Sequence, residues 1–359
     1  IDGGQTLSLD ADTGTILVDG HLGNTNPLTT VTITQSNGAT FSGNFKAASL
    51  VITDTANSQA VTFADGQDVD LSTGFTVSNS GADAYNVVIN SSTFDAAGDT
   101  NFLNGGTVSL GNADTDVITF AGGLATTGNG TNPGTVNLAG TIQTQGAQMD
   151  IGAVTLAAAT TLKTDGNSAT GDANINIGAV GVTANDNLTI TSTGTVDFQG
   201  AVNLGSGKLD VSFDTATEGT QALVVDQTIT AGSIDFTGSG AAANDTLDIN
   251  QDLTASTSLT LDNLQTVDLA LNVDLAATSG NLSAATNVGG ISLSETTTAG
   301  VNAFSTAGAA GDVSLAAITA QTTNTDVTIT TPTSASSGDV SLAGATGLGF
   351  IKINAQATA

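Results

Sequence analysis

Apolar and polar residues alternate in short triplets along the whole chain. They begin with Leu7-Ser8-Leu9, Val31-Thr32-Ile33 and Val61-Thr62-Phe63, continue through Val108-Ser109-Leu110, Val136-Asn137-Leu138 and Leu188-Thr189-Ile190, and end with Val313-Ser314-Leu315 and Val340-Ser341-Leu342. Alternation at period two marks a strand with one buried face. The apolar members are mostly Val, Ile, Leu and Phe, which suit a pleated surface. No segment carries a capped stripe at 3.6-residue spacing, so the chain is predicted to be all-β.

The predicted strands are short, and Gly, Asn, Asp, Ser and Thr clusters such as "TGNGTNPG" separate them, which is turn chemistry. Strand phrases also recur. "GDVSLA" starts at Gly311 and again at Gly338, and "GTVSLG" at Gly106 returns at nearly the same distance as "GTVNLAG" at Gly134. "GTVDFQG" at Gly194 and "SIDFTGSG" at Ser233 are further echoes. Looser triplets recur at roughly half the phrase distance, as at Ile175 and Leu188, Ile234 and Leu247, and Val313, Val327 and Val340. Self-similarity at these distances predicts a solenoid whose coils hold two or three strands, each bonded to its counterpart one coil away. The fold class expected is therefore an elongated, right-handed parallel β-helix, a rod on the order of 60–90 Å. Tandem β-sandwich domains are the alternative, since their turns recur about every 8–12 residues. One continuous solenoid over 1–359 is expected. Seven of the twelve Phe precede residue 121, which raises a distinct Phe-richer part over 1–120 and an Ala/Gly/Thr-richer shaft over 121–359.

Charge narrows the function. The chain has 33 acidic residues against 4 Lys and Arg together, a formal net charge of -29. Phosphate binding needs cations, so nucleic acid is excluded as a partner, and anionic lipid surfaces for the same reason. With no Cys, neither a disulfide framework nor a thiolate metal site exists. No apolar run of about 18 residues is present, so membrane insertion is not expected. The chain starts at Ile1, which suggests a processed product or an excised segment.

The phrases "DNLTITSTGTVDFQGAVNLGSGKLDVSF" (186–213) and "SGDVSLAGATG" (337–347) resemble the filamentous-haemagglutinin-like and autotransporter-passenger repeats of large bacterial surface proteins. The resemblance covers most of 100–359 and rests on repeat texture. It implies a right-handed parallel β-helix, exported and displayed as an adhesive or structural fibre. The Asn-Pro-Asn-Gly type motifs of that family's secretion domain are missing, and "NTNPLTT" (24–30) does not match them. The resemblance therefore implies fibre shaft rather than an export-guiding cap.

Candidate chemistry is carboxylate chemistry. Many strands place Asp at an outward position, and stacked like charges about 4.8 Å apart repel. Ca2+ accepts carboxylate and carbonyl oxygens and would relieve this. The candidate ligands are Asp10 and Asp12 in "DADTG", Asn112, Asp114 and Asp116 in "NADTD", and Asp186 between two asparagines. A solvated acidic surface is the simpler reading. "DADTG" lacks the downstream Glu of an EF-hand, and no glycine-aspartate nonapeptide is present. Paired carboxylates could cleave a glycosidic bond, but one His, no Arg and no Trp leave few partners for catalysis, and no G-x-S-x-G, H-E-x-x-H or P-loop occurs. No enzyme is expected. His21, in "DGHLGN", reads as a surface residue. Thr-x-Thr pairs such as those of Thr30, Thr32 and Thr34 suit an ice-binding face, but Asp, Ser and Asn interrupt the series. Sequons occur at Asn90, Asn129, Asn187, Asn244 and Asn281.

Together these features predict a secreted, cell-surface structural fibre or matrix subunit that self-associates end to end through β-strand contacts. An adhesin shaft within a larger surface protein, with a cell-surface or glycan receptor, is the alternative. A calcium-dependent polysaccharide-binding or polysaccharide-cleaving β-helix ranks below both.

Overall fold

The structure, a computed structural model, describes residues 1–78, 83–128, 130–166, 172–213, 221–239, 245–270, 272–285, 288–293, 300–306, 312–320, 325–331 and 339–354. The protein is all-β, a parallel β-solenoid of about 13 turns. Among the described residues every pairing between strands is parallel, which a tandem array of antiparallel sandwiches would not give. By internal contacts the chain divides into two compact units, Ile1–Gly178 and Ala179–Ala359.

In the first unit each coil presents three faces, here called A, B and C. One coil contributes Thr100–Asn101 to face A, Gly105–Leu110 to face B and Val117–Phe120 to face C. Each strand sits in register on its counterpart, as Val108 on Val136 and Ile118 on Ile142. A single strand often turns a corner. Thr135–Gln143 lends residues 136–138 to face B and 140–143 to face C, with a register shift between Leu138 and Gly140.

Inward positions are filled by the apolar members of the triplets. Val61, Val87, Val108 and Val136 form one continuous inner ladder, with at most 2% exposure each. Seven phenylalanines build an aromatic spine through the first unit. Phe94 is its hub, with ring centroids 5.8 Å from Phe63, 5.5 Å from Phe75 and 5.7 Å from Phe120. Offset and edge contacts of this kind add roughly 0.5–1.5 kcal/mol per pair beyond the area they bury. Tyr85 is fully buried too and donates its hydroxyl to the Ser78 carbonyl at 2.7 Å. Burial, and then the charge of Asp54, raise its ionisation well above the ordinary tyrosine range.

The second unit repeats the scheme with slimmer residues. Val180, Val202, Ile229, Leu253, Leu275 and Phe304 stack in one ladder. Val196, Leu223, Leu247, Val267, Ile291 and Ile318 stack in another. A third runs from Leu188 through Leu209, Ile234 and Leu259 to Leu282 and Val313.

Coil length is uneven. A short coil stacks Val154 on Val136, whereas a much longer one separates Leu282 from its partner Val313. Loops absorb the difference while the ladders stay in register. Tight corners need glycine where two coils touch: a Cβ on Gly111, at φ 79°, would lie 2.1 Å from the Ala139 carbonyl oxygen one coil away.

Candidate functional site: turn carboxylates, charged rungs and open edges

Asn and Asp are abundant in the turns because their short side chains reach one coil along the axis. Asn86 Oδ1 accepts the Thr107 N–H at 2.7 Å, and Asn187 Oδ1 accepts the Lys208 N–H at 2.7 Å. Asp252 Oδ1 accepts the Asp274 N–H at 2.9 Å, and Asp274 Oδ1 in turn accepts the Ala303 N–H at 3.0 Å. Where an amide at or near the start of a strand has no ladder carbonyl opposite it, these side chains replace it. His21 does the same, its Nδ1 accepting the Asn44 N–H at 2.9 Å. The sequence offered no signal for this role, since the contact joins residues a whole coil apart.

The proposed calcium ligands fall at separate places. Asp10 and Asp12 share the corner between Thr6–Asp10 and Ile16–Val18, where Asp10 Oδ1 accepts the Asp12 N–H at 3.2 Å. Asn112, Asp114 and Asp116 lie at a different corner, several coils further on, between Gly105–Leu110 and Val117–Phe120. There Asp116, 2% exposed, folds inward, and its Oδ2 accepts the N–H groups of Asn112 and Ala113 at 2.9 and 3.0 Å. Asp186 belongs to the second unit, and its Oδ2 is buried without a hydrogen-bond partner. The structure brings no two of these three groups together. Among the described residues no set of three or more His, Asp or Glu side chains converges on one point. Asn129 and Asn244 lie outside the described residues; Asn281 Oδ1 accepts the Asp312 N–H at 3.0 Å.

Charge is sorted by face. On face C of the first unit the outward ladder runs Lys46, Asp70, Asp95, Thr119, Gln143, Lys163. On face B it runs Leu17, Thr40, Thr62, Val88, Ser109, Asn137, Thr155, without a charge. In the second unit Asp210 and Asp235 are neighbours on adjacent rungs, and Lys208 bridges them, at 2.7 and 3.3 Å. Hydrogen bonding to Asp210 is the main cause that raises the Lys208 ammonium above its ordinary value. Asp248 and Asp268 are also rung neighbours. Asp248 is raised by partial loss of solvent and by the charges of Asp268 and Asp226, against the opposing hydrogen bond from Asn250.

A shallow cleft of about 340 Å³ on face A is lined by Asp99, Asn101, Gln148 and Asp150 among others. Its carboxylates are partly engaged: Asn101 Nδ2 donates to Asp99 at 3.2 Å, and Gln148 Nε2 and Asn176 Nδ2 donate to Asp150 at 2.8 and 2.7 Å.

At both ends of the described chain the ladders stop with one edge open. Thr6–Asp10 pairs with Leu28–Gln35, and Phe350–Asn354 pairs with Thr325–Thr330; neither has a second strand partner among the described residues. Core positions are bared there. Ile353, which is stacked on the buried Ile329, is 50% exposed, and Ile351, stacked on the buried Val327, is half-buried.

Parallel pairing, stacked inward ladders and uneven loops define a repeat protein of the β-solenoid class. Compared with known proteins, the chain matches no family model, no curated protein and no solved structure.

Proposed function

We propose that the chain is a structural subunit of a secreted, cell-surface fibre or matrix and joins its neighbours end to end by β-strand pairing. The observation that carries this reading is the pair of open edges at Thr6–Asp10 and Phe350–Asn354, each with inward apolar residues already in ladder register. An open edge holds a row of unpaired N–H and C=O groups, and it templates another strand. A further coil, supplied by a second copy, satisfies those groups and covers Ile353. The repeat texture shared with haemagglutinin-like surface proteins supports an exported fibre. The adhesin shaft is the second reading, favoured by the same edges, because coils of a longer polypeptide would cover them equally well. Within either reading Ca2+ is the ion suited to the exposed loop of Asp10 and Asp12.

Electron microscopy of the purified chain, in chelator and then in millimolar Ca2+, tests the proposal. Filaments are expected, and Ile353→Asp, which puts a charge into the joint, should shorten them. Single particles at every protein concentration, in both conditions, would sink the fibre reading in favour of the shaft.

A further inference from the structure

We propose that Asn37 is a site of spontaneous modification, where a slow reaction turns a side-chain amide into a carboxylate and loosens the first coil. In an Asn-Gly pair the glycine nitrogen reaches the asparagine side-chain carbonyl easily, because no Cβ stands in the way. The Gly38 N–Cγ bond forms, the Cγ–Nδ2 bond breaks, and Nδ2 leaves as ammonia with the proton from the glycine nitrogen. Water then opens the cyclic imide. Attack at one carbonyl gives aspartate; attack at the other gives isoaspartate, whose main chain runs through Cγ. Neither step needs an oxidant or a cofactor. The chain has three Asn-Gly pairs, at Asn37, Asn104 and Asn129, and Asn129 lies outside the described residues. Asn104 is 1% exposed, and its Nδ2, the leaving nitrogen, donates to the Tyr85 and Thr107 carbonyls at 2.7 and 3.2 Å. Conversion there breaks both bonds and buries a new charge.

Asn37 is placed differently. It stands exposed in the turn between Leu28–Gln35 and Ala39–Phe41. Neither its side chain nor the Gly38 N–H is hydrogen-bonded among the described residues. Gly38 has φ 103°, which L side chains rarely adopt, so the turn keeps a glycine at the attacking position. The place also gives the reaction a consequence. The Asn37 N–H donates to the Gly14 carbonyl at 2.7 Å, and the Gly38 carbonyl accepts the Ile16 N–H at 2.9 Å. Both bonds tie the second coil to the first, one on each side of the reacting link. Isoaspartate adds one methylene between them, so the two bonds cannot both keep their geometry. Aspartate keeps the spacing and adds a charge next to the corner of Asp10 and Asp12. The inference does not rest on end-to-end joining.

Peptide mapping by mass spectrometry, on protein held in warm, mildly alkaline buffer, tests the proposal by following the exchange of amide for carboxyl at each pair. In the folded chain Asn37 is expected to convert at least about tenfold faster than Asn104, whose two hydrogen bonds raise the barrier. In guanidinium chloride, where only the local sequence acts, the two rates should converge. Hydrogen exchange at the Ile16 amide should quicken as the folded protein ages. Asn37→Gln keeps an amide but closes a larger ring more slowly, and its Ile16 amide should stay protected over the same period. Equal rates at Asn37 and Asn104 in the folded chain, or an Asn37 that converts only in guanidinium chloride, would overturn the proposal. So would conversion at Asn37 that leaves exchange at Ile16 unchanged. These measurements need no filaments, so failure of the fibre reading leaves this one standing, and the reverse.

Discussion

Asp312 accepts the backbone N–H of Asp339 at 2.8 Å, while its own N–H is accepted by Asn281 Oδ1 at 3.0 Å. Three turns of three successive coils are thus joined through side-chain oxygens. Asp312→Ala leaves the Asp339 amide without that acceptor and should cost about 1 kcal/mol. Asp312→Asn retains an oxygen and should lose a few tenths. Urea denaturation separates the two; equal stability of both variants and the parent would remove the acceptor role.

The aromatic spine concentrates packing at Phe94, which is fully buried against three other rings. Phe94→Ala should destabilise the first unit by about 3–5 kcal/mol. Phe94→Leu should cost less, because it leaves a smaller cavity. Thermal melts followed by circular dichroism measure both.

Lys208 holds two carboxylates that its own strand and the next place side by side. Lys208→Met should cost about 0.5–1 kcal/mol, since all three groups are partly solvated. The cost should fall when salt near 1 M shortens the Debye length to about 3 Å. An effect independent of salt would assign it to the lysine stem rather than its charge.

Asp248 and Asp274 respond to acid in the opposite sense from a paired carboxylate. Partial burial raises both above the ordinary range, aided by Asp268 and Asp226 at Asp248 and by Asp252 at Asp274, although the Ala303 N–H works against the shift at Asp274. With the folded value above the unfolded one, the folded state holds more protons in the window just above the ordinary Asp value of about 4. Their contribution is therefore present below that value and is lost as pH rises through the window. Asp2 runs the other way: the Asn26 N–H lowers it, and its contribution is lost on acidification. Asp248→Asn should raise the melting temperature at neutral pH by about 1–2 °C and flatten the pH profile just above the ordinary Asp value. A lowered melting temperature would mean that the carboxylate is favourable where it stands.

The repeats at Gly311 and Gly338 proved to be adjacent rungs, Val313 on Val340 and Ser314 on Ser341. Those at Gly106 and Gly134 stack as Val108 on Val136. The echo between Gly194 and Ser233 does not: Val196 pairs with Leu223, while Ile234 pairs with Leu209 and Leu259. A three-residue alternation looks the same on every face, so phrase similarity locates a strand but not its face. The shorter triplet spacings have the same origin. Ile175 and Leu188 open strands on different ladders of the winding.

Alternation and turn chemistry, being local patterns, by themselves determined that this protein is all-β. The repeated phrases favoured a solenoid over tandem sandwiches, a choice that the parallel pairing of the strands then made. The aromatic concentration in 1–120, where all seven spine residues lie, was also legible in the sequence. Only the tertiary structure decided which carboxylates meet and which turn amides they satisfy. It alone sorted the outward rungs into charged and neutral faces. Those relations join residues a full coil apart, at a distance that changes from coil to coil with loop length. Register is set by inward packing and backbone pairing acting together, and no short stretch of sequence contains both partners.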